Sequence, residues 1–443
     1  MFEIGRELKR FFTPAGPRDG LCFGDASLLE LLPVKMLENE ARASDVAAGR
    51  IGAKDRPQRL IEAARAWREM SRRTGDPAAL RKAAACAEQS ATLARTAGRP
   101  NAVGRALCEQ VQAAFLGADL FAEDGLNVAA DYLLGQAPSS AMARSLHARL
   151  AARRTLAGGE AEAVRAAAAG FDRVLHGLHG RGAPESYGAA KLMCERAEFL
   201  TACGMRLHDA SLIDQALVDL AKVIETVDPA YLPLTAARAN ELRGLALVRL
   251  GELSGDVSPM LQGLDAFAAA IDLIAGDHSP LDWARLQHGQ GLALAALAEA
   301  GDSEPAFDRA LKAFGRAMAV LKEAPAVALR TTVAQDRASC LVNRAEMRGD
   351  GVALDEAEAI LRSELGAMRA PPEPVAWAVL QLNLARVYMA QSAARGRDAG
   401  ERARAGDALL AALDVFAERG LRSLAAAADQ ALGDLRESAT KAA

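Results

Sequence analysis

Apolar residues recur along this chain with the spacing of one helix face. Phe307, Ala310, Leu311, Phe314, Ala317 and Met318 follow the i, i+3, i+4, i+7 pattern of a 3.6-residue period. The spacing predicts a helix there, preceded by a partner helix from about Leu281 through Leu297. Pro280 stands at the entry of that partner and Asp282 in its first turn, both favourable at a helix start. Gly301 and Asp302 close the hairpin. Proline inside a helix costs about 3 kcal/mol, so prolines mark the joints: Pro57, Pro77, Pro100, Pro138, Pro184, Pro233, Pro259, Pro280, Pro305, Pro325 and Pro374.

The hairpin is one copy of a repeat. Gly244-Leu245-Ala246-Leu247 returns 47 residues on as Gly291-Leu292-Ala293-Leu294. The same step links Ile213, Met260, Phe307 and Leu354, then Leu220, Phe267, Phe314 and Leu361, then Ile224, Ile271, Met318 and Leu365. A fourth column, Ala216, Gly263, Ala310 and Ala357, is small throughout, as needed where two helix backbones approach closely. A fixed period of this length means stacked helix pairs, each burying its apolar face on its neighbours. The fold class expected is all-α: a right-handed α-solenoid of antiparallel helix hairpins.

The hairpins read as about 57–97, 98–137, 138–183, 184–229, 230–277, 278–323, 324–370 and 371–420, the first three degenerate in sequence. The organisation expected is an N-terminal amphipathic or extended segment (1–25), N-terminal capping helices (26–56), degenerate repeats (57–183), well-defined repeats (184–420), and a C-terminal capping helix with its tail (421–443). A terminal unit needs a polar outer face, which Asp434 to Lys441 supplies.

Composition narrows the function. Hydrophobic residues are 51% and charged residues 25% of the chain, which excludes a disordered or fibrous protein. Aromatics are only 4%, and alanine fills runs such as Ala166–Ala169 and Ala425–Ala428, favouring close-packed helices. A net charge of −4 supplies no field for phosphate backbones, so no nucleic-acid partner is expected. Cys22, Cys86, Cys108, Cys194, Cys203 and Cys340 form no C-x-x-C pair and read as reduced and buried. There is no cationic leader and no apolar run of membrane-spanning length, so a cytoplasmic chain without a transmembrane segment is expected.

No linear motif for phosphate, dinucleotide, zinc or a nucleophilic serine is present, so no cofactor, metal or catalytic residue is expected. His176 and His179 have the spacing of a metal pair but no third ligand nearby. Trp67, Trp283 and Trp377 read as core side chains.

The run Pro280-Leu281-Asp282-Trp283-Ala284-x-x-Gln287-x-x-x-Gly291-x-Ala293-Leu294, echoed by Trp377-Ala378-x-x-Gln381, resembles the long tetratricopeptide-type repeat common in bacterial proteins. Ala310-x-x-x-Phe314-x-x-Ala317 and Gly263-x-x-x-Phe267-x-x-Ala270 match the second-helix part of that pattern. The resemblance covers 184–420 well and 57–183 loosely. It departs in length, 47 residues against 34, so each helix must be longer by one to two turns. HEAT-like solenoids also reach this period.

The resemblance implies a non-enzymatic interaction module, an adaptor or scaffold, whose first helices (A) line a concave groove for a partner peptide or helix. Its groove positions flank the small crossing residues Ala197, Gly244, Gly291, Ala338 and Ala385. They fall here on Lys191, Glu198, Arg238, Glu241, Arg249, Arg285, His288, Gln335, Asn343, Leu382 and Arg386. More of these are positive than negative, and arginine forks bind carboxylates, so an acidic or C-terminal-carboxylate peptide is the sharper expectation.

The segment Phe2 to Phe12 puts Ile4, Leu8, Phe11 and Phe12 on one face. It reads as a cap on the solenoid, an interfacial membrane helix or a docking peptide. The alternative function is therefore a self-assembling or membrane-peripheral organiser tethered through residues 2–12, and the least favoured is an all-α enzyme whose acids and bases are assembled only by folding.

Overall fold

The structure, a computed structural model, describes residues 28–50, 55–123, 125–156, 158, 160–178, 183–348, 350–368, 374–396 and 398–442. The amphipathic segment 2–12, Cys22 and His179 lie outside them. The described residues form α-helices and a short 3₁₀ turn, with no strand. The 3₁₀ turn (Leu29–Leu31) leads into α1 (Val34–Gly49). Hairpins follow: α2 (Arg56–Thr74) with α3 (Pro77–Thr96), α4 (Pro100–Phe121) with α5 (Gly125–Gln136), and α6 (Ala141–Leu156) with α7 (Ala161–His176). The next are α8 (Ala183–Leu207) with α9 (Ala210–Thr226), α10 (Pro233–Ser254) with α11 (Val257–Leu273), and α12 (Pro280–Ala300) with α13 (Glu304–Leu321). The last are α14 (Val327–Arg348) with α15 (Gly351–Ala367), α16 (Pro374–Arg395) with α17 (Glu401–Glu418), and the closing α18 (Arg422–Ala442). Residues 28–50 hold one α-helix and a turn rather than a helix pair.

Local chemistry sets these ends. Proline opens α2, α3, α4, α10 and α13 from the first turn, where its missing N–H costs nothing. Four second helices (B) begin on an aspartate cap: Asp76, Asp209, Asp256 and Asp350 accept from the backbone N–H groups of Ala78, Ser211, Ser258 and Val352 at 2.8–3.0 Å. The A helices α10 and α14 run to 22 residues each, the extension that a 47-residue period demands.

The chain divides into two compact units, residues 1–289 with 323–326, and residues 290–322 with 327–443. In the first, successive helices pack on one another, and A helices also touch A helices: α2 on α4, α4 on α6, α6 on α8, and α8 on α10. Its apolar clusters run from Leu37, Ala41, Trp67 and Ala83, through Phe115, Leu134 and Leu150, to Phe171, Leu200 and Leu220. In the second unit α14 packs on α15 and α16, α16 on α17, and α17 on α18, around Leu341, Leu361, Leu384, Tyr388, Leu409 and Phe416.

The repeat columns are the packing. Ile213, Leu220, Phe267, Phe307, Phe314 and Leu361 are each at most 2% exposed, and Ala216, Ala310 and Ala357 fully buried. The third column is only half-buried at Ile224, Ile271, Met318 and Leu365, because it lies at the end of each B helix. Within the α10–α11 hairpin the helices cross backbone to backbone: a Cβ on Gly244 would stand 3.0 Å from the Gly263 carbonyl, and one on Gly263 2.8 Å from that of Gly244. The Phe267 ring then fills the space between Gly244 and Gly289 of the following A helix, where a Cβ would meet the ring at 2.2 Å. Trp67 is a core residue at 3% exposure, whereas Trp283 and Trp377 are only half-buried. Cys86, Cys108, Cys194, Cys203 and Cys340 are free and buried.

Candidate functional site: the inner faces of the A helices

The small crossing residues turn one side of each A helix toward its B partner, and the candidate residues stand around the helix to one side of that contact. Ala197, Ala338 and Ala385 are at most 1% exposed, and Gly244 and Gly291 are buried. None of the eleven groove candidates is buried: Glu198 and Arg386 are exposed, and Lys191, Arg238, Glu241, Arg249, Arg285, His288, Gln335, Asn343, Leu382 are half-exposed.

In the first unit these groups pair with one another. Arg238 on α10 donates to Glu198 on α8 at 2.7 Å and reaches Glu241 on its own helix at 2.7 Å. Burial works against both charges, yet Arg238 holds the Glu198 carboxyl below its ordinary value, and the two carboxylates hold the Arg238 guanidinium well above its own. Arg285 turns to Asp282 at 3.0 Å, and Arg249 to Glu252 at 2.7 Å. Sequence reading counted the arginines as open to an incoming carboxylate; each is matched by a carboxylate of the chain, Arg238 across to the neighbouring A helix and Arg249 and Arg285 one turn away on their own helices. In the second unit Asn343 on α14 accepts from Arg386 on α16 at 2.5 Å and donates to Glu299 on α12, while Arg386 also approaches Glu346 at 3.7 Å. Gln335 and Leu382 stand on the same two helices.

Further members of the first unit's polar wall escaped the sequence. Arg149 and Arg153, one turn apart on α6, pair with Glu195 on α8 and Asp119 on α4, each at 2.6 Å. Burial pushes the Glu195 carboxyl above its ordinary value despite Arg149. At the end of α2, Glu69 lies 2.9 Å from Arg72 and 2.7 Å from Arg73, and Arg72 reaches Asp282 on α12 at 2.8 Å. The spacing of Arg149 and Glu195, one residue short of the period, was the available signal.

A second enclosed group on this wall, beside the fully buried Arg73, is Glu30, in the 3₁₀ turn and 2% exposed. Its Oε1 accepts from the Tyr187 hydroxyl (2.8 Å) on α8 and from Thr235 Oγ1 (2.6 Å) on α10, and Lys191 Nζ stands 3.5 Å away. Its Oε2 accepts from the Thr235 backbone N–H at 2.9 Å. That N–H belongs to the first turn of α10, whose own cap position, Leu232, offers no side-chain acceptor. Glu30 therefore caps α10 from 205 residues away.

Among the described residues no group of three or more His, Cys, Asp and Glu side chains could hold a metal ion, and no helix is long and apolar enough to cross a membrane. No protein-family profile matches the chain, and no curated protein matches its sequence. Solved structures do match along most of its length. The described residues show the all-α fold by themselves, consecutive helices packing on one another as stacked hairpins. The Rap protein complexed with competence and sporulation factor is similar at 12% identity and a TM-score of 0.47, covering 87% of this chain and 99% of that one. A monomeric IFIT1 mutant with the capped RNA m7Gppp-AAAA is similar at 12% and 0.42, covering 95% and 91%. Yeast Tom70 is similar at 12% and 0.25, covering 91% and 96%.

Proposed function

We propose that the chain is a non-catalytic protein-interaction scaffold, and that the inner faces of its A helices receive a peptide or helix of a partner protein. The observation that supports this is the row Lys191, Glu198, Arg238, Glu241, Arg285 and His288. These polar side chains stay partly exposed on three A helices whose apolar residues are buried against the B layer. Ion pairing fixes their rotamers in advance, so a partner meets donors and acceptors that need little further ordering. A wall so nearly neutral gives no general attraction to acidic partners. Preference for a carboxylate then belongs to one local site, around Thr235, rather than to the arginine row.

The test is replacement of Arg238, Arg285 and Arg386 together by glutamine, with the exposed B-helix residue Arg309 replaced as a control, followed by affinity capture from the native host and mass spectrometry. The expected result is loss of the captured partner in the triple variant alone, with helicity at the assay temperature close to the parent's. Capture retained by the triple variant would move the site off the A helices.

A further inference from the structure

The turn at Leu29–Leu32 is held the way a binding site holds a peptide. Its one carboxylate, Glu30, takes three hydrogen bonds from Tyr187 and Thr235 and lies beside Lys191. Its carbonyls are read separately: Arg73, fully buried at the end of α2, donates to the carbonyls of Leu29 and Leu32, the second at 2.6 Å. His278 Nε2, in the loop before α12, meets the Glu30 carbonyl at 2.8 Å. The donors come from α2, α8, α10 and that loop, elements far apart in sequence, and converge on four consecutive residues. Leu29 and Leu32 pack against the apolar cluster around Leu37 and Trp67 while Leu31 is 39% exposed, so the turn is gripped through its backbone, its carboxylate and two flanking leucines.

We propose that this is a peptide-recognition site occupied in cis, and that a partner segment with a glutamate between leucines enters it by displacing the Leu29–Leu32 turn. This rests on the reading above that the A helices receive a partner, and it names the partner's chemistry. The selectivity follows from the donor set. A carboxylate satisfies the Thr235 N–H, the Thr235 and Tyr187 hydroxyls and the Lys191 ammonium at once. A glutamine would set an NH₂ against one of these donors, and a buried donor left unmatched is what gives polar sites their discrimination. The cis turn is tethered, so it competes at the high effective concentration of an intramolecular ligand; a partner gains entry only when it binds more tightly or when the turn is weakened.

The experiment uses the full chain and a fluorescent synthetic peptide of residues 28–35 (LLELLPVK), followed by anisotropy. The Glu30→Ala variant should bind this peptide at least about tenfold more tightly than the parent, since it lacks the competing carboxylate. A peptide with glutamine for its glutamate should not bind that variant, and adding Thr235→Val should abolish binding. Equal affinity in variant and parent, or equal binding of the glutamine peptide, would overturn the proposal.

Should Glu30→Ala fail to fold, hydrogen exchange of the parent decides: the turn must open while α8 and α10 stay protected, and exchange only together with those helices would overturn it. A concentration-dependent dimer of the parent that Glu30→Ala abolishes would also overturn it, giving the site to a second copy. Because the probe is a defined peptide, its failure leaves the capture experiment on Arg238, Arg285 and Arg386 free to succeed or fail separately.

Discussion

Arg72 and Asp282 are 210 residues apart in the chain, yet one guanidinium nitrogen of Arg72 lies 2.8 Å from both carboxylate oxygens of Asp282. Ser279 donates to the same carboxylate at 2.6 Å, and Arg285 at 3.0 Å. The end of α2 is thereby fastened to the start of α12 within the first unit. Asp282→Asn should lower the stability of that unit by about 2 kcal/mol, the range for a charged hydrogen-bonded pair that is partly screened by water. Urea unfolding followed by circular dichroism would show it. Arg72→Met combined with Asp282→Leu should cost less than the two single changes summed, because neither charge is then left alone.

Two glycines separate crossing from mere tolerance. A Cβ on Gly291 would stand 2.6 Å from the Phe314 ring, whereas one on Gly315, a residue further along the same B helix, meets nothing within 4 Å. Gly291→Ala should destabilise by about 1–3 kcal/mol through overpacking, and Gly315→Ala should stabilise by up to about 1 kcal/mol through helix propensity. Thermal melts of the two variants, moving in opposite directions, check the pair.

The acid limb of stability follows from the ion pairs. Burial alone would raise the carboxyls of Glu69, Glu109 and Asp282, but Arg72 with Arg73, Arg68 with Arg65, and Arg72 with Arg285 hold them below their ordinary values. Groups depressed in this way favour the fold above the unfolded carboxylate pKa, near about 4, and lose that contribution as pH falls toward the folded value. Melting temperature should therefore be level from neutral pH to about 5 and drop below about 4. The acid drop should be shallower in Glu69→Gln. An unchanged acid limb in that variant would mean the pairs carry no stability.

Burial pushes the thiols of Cys86, Cys108, Cys194 and Cys340 up to about 12. Thiolate is the reactive form, so in a Cys22→Ser variant these four should resist a disulfide reagent at pH 8 until denaturant is added. The raised values have a second consequence of opposite sign to the carboxylates: the contribution is complete below the unfolded thiol value and is lost as pH climbs from about 9 toward 12. Rapid native labelling would place these residues outside the core.

The repeat was legible because packing repeats. Phe267, Phe314 and the small column at Ala216, Gly263, Ala310 and Ala357 must recur wherever identical hairpins stack, so a 47-residue step exposes them. The inner wall was legible only as a set of positions. That Arg238 faces Glu198, and is spent on it, depends on the lateral offset between α8 and α10, which no spacing within one helix encodes. Glu30 left no signal at all. Its role comes from an unrepeated turn meeting the uncapped first turn of α10, a contact between residues that share no period.

The claim that the A helices receive a partner is tested most directly by position-specific photocrosslinking in the native host. A benzophenone side chain would be placed at Glu198 or His288 on the A helices, and at Val218 or Leu261, exposed on the B helices α9 and α11. The account predicts one partner adduct from the A-helix positions and none from the B-helix positions. The same adduct formed from Val218 or Leu261, with none from Glu198 or His288, would contradict it.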